Sequence, residues 1–222
     1  MTWRTYVVAF VITAAIFATA FYINSQFDSR RVVDIQNTED TIAIDLLSSQ
    51  TQFELLGSLD CETLAQGSGL SDELNSLAER LSIAEENLGN KNAQVVALKK
   101  QYSLLEIRDY LLMQQISQKC RNLKPVYILY FYSNEGDCTD CSRAGDVLTY
   151  LRETYPGLRV YSFDYHLGLS ALQTLIRLKN VDGALPAFII ENRAPVYGFK
   201  SLPDMQKLIP ELKTLATSTT AH

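Results

Sequence analysis

Five consecutive residues, Asp137, Cys138, Thr139, Asp140 and Cys141, constrain this chain more than any other stretch. Before them, residues 126–132 are an unbroken run of Val, Tyr, Ile, Leu and Phe, the side chains that suit a buried strand. Residues 133–136 are a short polar turn that ends on Gly136, and Ala144, Val147, Leu148 and Leu151 then recur at helical spacing. A strand ends, a loop turns, and two cysteines stand where a helix begins. The first turn of a helix has backbone N–H groups without intrahelical partners, and these favour a thiolate. Cys141 lies three residues beyond Cys138, on the same helical face, so the two sulfurs can close as a disulfide.

The elements that follow extend the pattern. Residues 158–163 read as a strand and 170–178 as a helix. The run Leu185, Pro186, Ala187, Phe188, Ile189, Ile190 leads into a strand, residues 196–199 make another, and 202–212 form a closing helix. Strand, CxxC, helix, strand, helix, X-Pro-strand, strand and helix in this order resembles the thioredoxin fold over residues 122–213. The resemblance implies a cis peptide before Pro186 and a substrate groove edged by Leu185 and Pro186. It also implies an attacking sulfur on Cys138 and a resolving sulfur on Cys141. The expected activity is thiol–disulfide exchange with a protein substrate and a redox partner protein, without an organic cofactor.

The chain departs from that family in three places. Asp137 stands before the first cysteine where many thioredoxins have Trp, and the intervening dipeptide is Thr139–Asp140 rather than Gly-Pro. Tyr130 occupies the place of the family's buried acid. Negative charge on Asp137 and Asp140 disfavours a thiolate at Cys138 and opposes the helix dipole, which predicts a reductant- or isomerase-like couple. Both acids are also ordinary turn residues. The opposing expectation is a non-catalytic interaction or assembly protein whose Cys138–Cys141 bond is purely structural.

The first half reads differently. Residues 6–23 carry no charge and are mostly apolar, just long enough to cross a hydrocarbon core of about 30 Å. The expectation is an uncleaved transmembrane anchor over residues 1–24, with the remainder on the extracytoplasmic side of a single-pass membrane protein. Ala18, Thr19 and Ala20 fit a cleaved signal peptide instead, and a buried core helix is a third reading. Residues 25–41 are a polar linker.

From residue 42 the periodicity is helical. Leu70, Leu74, Leu77, Leu81, Ala84 and Leu88 form one heptad seam, and Gly89–Asn90 interrupts it. Val95, Leu98, Tyr102, Leu105, Leu112 and Ile116 form a second. Two seams about a break predict an antiparallel helical hairpin or bundle over 42–121. A continuous coiled-coil arm and a homodimer through the same stripes are alternatives, because an apolar stripe does not name its partner. In the hairpin, Cys61 and Cys120 fall at the same end, where a disulfide would close a loop of about sixty residues. Two separate buried thiols are the alternative. Glu79, Glu85 and Glu86 read as a solvated face.

The expected architecture is therefore an N-terminal transmembrane helix, an α-helical module, then an α/β thioredoxin-like domain, with a fraying tail over 214–222. The net charge of −5, without a long basic run, argues against a nucleic-acid partner. Cys138 and Cys141 supply two sulfurs with no second close pair, which argues against zinc. His166 reads as a loop residue.

Overall fold

A computed structural model describes residues 3, 6–8, 10–19, 48, 51–55, 57–58, 61, 70–120, 125–155 and 157–218. The linker over 25–41, the start of the first predicted helix, the loop over 62–69, residues 121–124 and the last four residues lie outside them, as does Ala20 of the candidate cleavage site. The chain divides into two compact units, residues 1–52 and residues 53–222.

In the first unit, residues 10–19 are helical and present Phe10, Val11, Ile12, Ile16 and Phe17 outward. Among the described residues no helix is long and apolar enough to cross a membrane. This overturns the transmembrane anchor, and with it the single-pass membrane placement and the extracytoplasmic side assigned through it. Apolarity made residues 6–23 look like a span, but a span also needs a helix of some twenty residues, which the described residues do not supply.

The second unit opens with α1 (Leu70–Leu88) and α2 (Ala93–Lys119). Gly89, at φ +80°, ends α1 in the left-handed region that glycine adopts without penalty. Asn92 caps α2: its side chain accepts a hydrogen bond from the Gln94 N–H. Leu74 and Leu77 of α1 pack with Leu105 of α2, so these seam residues meet within one chain.

Then follow β1 (Val126–Tyr132), α3 (Cys141–Thr154), β2 (Leu158–Asp164), α4 (Ser170–Leu178), β3 (Ala187–Ile190), β4 (Val196–Tyr197), α5 (Leu202–Leu208) and α6 (Leu212–Ser218). The sheet order is β2-β1-β3-β4. β1 runs parallel to β2, while β3 is antiparallel to both β1 and β4. Pro210 separates α5 from α6, where one closing helix was expected.

Side chains of β1 alternate between two cores, as the two-residue period of a strand requires. Val126, Ile128 and Tyr130 face α3 and the C-terminal helices, packing with Ala144, Leu148, Leu151, Met205 and Ile209. Tyr127, Leu129 and Phe131 face the other way and pack with Leu172 and Leu175 of α4 and with Ile107 and Tyr110 of α2. α2 thus lies between α1 and the sheet and is buried on two faces. Glu106 and Asp109, both fully buried, meet β2 there. Glu106 Oε1 accepts the Ser162 N–H at 2.9 Å, and Asp109 Oδ2 accepts the Tyr161 hydroxyl at 2.6 Å and Arg159 Nη1 at 3.3 Å.

Candidate functional site

β1 and β2 end level with each other, Tyr132 opposite Asp164. Two loops leave this common rim, one carrying the cysteines and the other His166. The Ser133 hydroxyl accepts the Glu135 N–H, and Gly136 turns the chain at φ +91°. α3 begins at Cys141, its first backbone bond running from the Ala144 N–H to the Asp140 carbonyl.

Cys138 and Cys141 are joined, with Cα atoms 5.5 Å apart. Cys138 is half-buried and lies outside the helix. Cys141 is its first residue and is only 6% exposed. One sulfur therefore belongs to an accessible residue at the mouth of a helix, and the other to a shielded one.

Each acid of the motif has a nitrogen-bearing side chain within hydrogen-bond distance. Asp140 Oδ1 lies 2.9 Å from Arg143 Nη1, and the Arg143 guanidinium stacks over the Phe199 ring at 4.2 Å. Asp137 Oδ2 lies 2.9 Å from His166 Nε2. Hydrogen bonds from the Ser133 hydroxyl and the His166 ring hold the Asp137 carboxyl below the usual carboxylate range. Neither charge stands bare beside Cys138, as the sequence reading assumed.

Beneath the motif, the Tyr130 hydroxyl donates to the Cys141 carbonyl oxygen at 2.6 Å. The Tyr130 ring is stacked between Tyr132 and Phe188, with centroids 5.6 and 5.4 Å away. Burial, then the charge of Asp146, pushes the phenol pKa upward, so the group stays protonated and serves as a donor. It ties the start of α3 to the middle of the sheet.

The Leu185–Pro186 peptide is cis. Ala187 pairs with Phe131, and continuing this register by one residue brings Pro186 level with Tyr132, at the rim from which the cysteine loop departs. Pro186 is buried, and its carbonyl accepts the Gly198 N–H. Leu185 is half-buried against the core on the α4 face.

Cys61 and Cys120 form a second disulfide, Cα atoms 5.6 Å apart, in a small apolar cluster with Leu112, Met113, Ile116 and Phe53. It lies apart from the rim residues in sequence and packs with none of the two sheet cores. Among the described residues no three His, Cys, Asp or Glu side chains converge as a metal site requires.

Three features escaped sequence reading: the Tyr130 hydroxyl bond, the His166–Asp137 pair, and the buried Glu106 and Asp109. The first had a signal, since a tyrosine inside a strand buried on both faces needs a partner for its hydroxyl. The last also had one, because Tyr102, Glu106 and Asp109 recur at helical steps of four and three.

No family model matches this chain, and no curated protein matches it. Solved structures resemble parts of it, among them the following two. One is described as a malarial protein; it is 22% identical, covers 40% of this chain and 97% of that one, and has a TM-score of 0.34. The other is thioredoxin O2 from Arabidopsis thaliana in its oxidised state, 22% identical over 48% of this chain and 88% of that one, with a TM-score of 0.35.

Proposed function

We propose that residues 122–213 form a thioredoxin-like domain in which Cys138 and Cys141 exchange electrons with protein thiols and disulfides. The reading is carried by one observation: the pair spans a helix N-terminus with Cys138 accessible outside it and Cys141 buried as its first residue. In the reduced state the Cys138 thiolate attacks a substrate disulfide. A bond forms between Cys138 and one substrate sulfur, and the other substrate sulfur leaves as a thiolate and takes a proton. Cys141, deprotonated, then attacks the Cys138 sulfur. The Cys138–Cys141 bond reforms and the second substrate thiol departs. The substrate gains two electrons, and a dithiol partner protein returns two to the enzyme.

Leu185 and Pro186 provide the apolar groove for an extended substrate segment. Asp137 and Asp140 temper the thiolate at Cys138 and bias the couple toward a reductant or isomerase, an effect that Arg143 and His166 moderate. A second reading draws on Tyr130. A phenol bonded to backbone cannot readily relay a proton at neutral pH, which suits a disulfide kept closed inside an assembly protein.

Titration of the full chain in glutathione buffers, with trapping of Cys138 by maleimide, separates the two. Exchange predicts reversible opening of Cys138–Cys141 and a mixed disulfide with insulin that accumulates in Cys141→Ser. A pair that stays closed across the glutathione range would leave the assembly reading.

A further inference from the structure

A cavity of about 150 Å³ lies between α1, α2, the C-terminal end of α3 and β2. Glu106 and Asp109 of α2 line it, and both are almost fully buried. Asn75 and Arg152 line it at the surface, where each is exposed. None of its lining residues belongs to the rim that carries Cys138 and Cys141.

The hydrogen bonds of the two acids stop halfway. Asp109 Oδ2 takes the Tyr161 hydroxyl and Arg159 Nη1, and Glu106 Oε1 takes the Ser162 N–H. Asp109 Oδ1 and Glu106 Oε2, both buried, accept no hydrogen bond of good geometry, although Tyr102 comes near enough to Glu106 to favour its charged form. Burial is the largest influence on both carboxyls and disfavours their charge. A buried oxygen left without a donor is costly, and folded proteins seldom leave one so. The partner these oxygens call for donates N–H bonds and carries positive charge. Among the described residues no three metal-ligating side chains converge, so the pair suits an ammonium better than a metal ion.

An ammonium alone would meet the guanidiniums of Arg152 and Arg159, which also line the cavity. Arg159 is engaged by Asp109. The charge of Arg152 is felt at Glu106, whose pKa it lowers. A carboxylate on the same ligand turns the repulsion from Arg152 into an ion pair. A cavity of this volume holds a ligand of about six non-hydrogen atoms, the size of benzene or alanine.

We propose that the cavity binds a small α-amino acid as its zwitterion, the ammonium donating to Asp109 Oδ1 and Glu106 Oε2 and the carboxylate pairing with Arg152. The site does not depend on the exchange reading, and its failure would leave that reading as it stands.

The test is titration calorimetry of the full chain with L-alanine, beside ethylammonium and propionate, which carry its two charged ends singly. Alanine should bind saturably, and roughly tenfold or more tightly than either half. Arg152→Gln, at an exposed position, should weaken alanine to about the affinity of ethylammonium and leave ethylammonium no weaker. Glu106→Gln keeps an acceptor for the Ser162 N–H and should weaken alanine and ethylammonium alike, roughly tenfold. No saturable heat with alanine up to about 10 mM overturns the proposal, and is the result that a cavity filled by water alone would give. Propionate binding as tightly as alanine overturns it too, as does an Arg152→Gln variant that binds alanine like wild type.

Discussion

The two disulfides make an instructive pair. Each joins a buried cysteine to a half-buried one: Cys141 to Cys138 at the rim, Cys120 to Cys61 at the end of α2. Exposure therefore does not tell them apart. Their surroundings do. Cys61–Cys120 bridges 59 positions and sits in an apolar cluster with Leu112, Met113, Ile116 and Phe53. Cys138–Cys141 spans three positions at the mouth of a helix, flanked by Asp137 and Asp140 with their partners His166 and Arg143. A long loop in an apolar setting stabilises the chain. A short loop among exposed charges contributes little to stability and leaves a sulfur open to chemistry.

The largest effect that tests this contrast is on thermal stability. Replacing both Cys61 and Cys120 by Ser should cost about 4 kcal/mol, from the loop that the bond closes. In a unit of this size that is a fall in Tm on the order of 10 °C. The same replacement of Cys138 and Cys141 should cost less than half as much. Equal losses in differential scanning calorimetry would break the contrast.

A smaller effect separates the buried charges on the α2 side from the exposed ones at the rim. Burial, more than any other influence, raises the Glu106 pKa well above the usual range, against the lowering effect of its bonds with Ser162 and Tyr102. A carboxyl raised on folding supports the folded state fully below the ordinary glutamate value of about 4.3, and that support is lost as pH rises through the folded value. Glu106→Gln keeps an acceptor for the Ser162 N–H and removes the charge. It should stabilise the protein by about 2 kcal/mol at pH 8 and by almost nothing at pH 4.5. Urea midpoints at the two pH values measure this; equal gains at both would show that the charge is not the cause.

The smallest effect sharpens the rim itself. Tyr130→Phe removes one hydrogen bond to the Cys141 carbonyl while keeping the stacked ring, and should cost about 1 kcal/mol in urea unfolding. A cost near zero would mean that α3 is held at the sheet by packing alone.

Much of this arrangement could be read from patterns with a single period. The apolar run of β1, the turn and the spacing of Ala144, Leu148 and Leu151 place the cysteines between a strand and a helix, and the leucines of α1 mark a helix with one buried stripe. α2 was harder, because Ile107 and Tyr110 face the sheet while Leu105 faces α1, and a helix buried on two faces has no single stripe to detect. His166 was harder still. It comes 29 positions after Asp137, and only the parallel pairing of β1 with β2 brings their loops to one rim. The apolar run near the N-terminus misled for the opposite reason: hydropathy reports a preference for oil and is silent on helix length, and among the described residues no helix is long and apolar enough to cross a membrane.

The bond from Ser162 to Glu106 reaches beyond stability. β2 is the outer strand of the sheet, and its outward amide would otherwise invite a neighbouring chain to dock as a fifth strand. A side-chain carboxylate already occupies that amide, with α2 lying across the flank. That removes from the edge one of the backbone groups a lent strand would use.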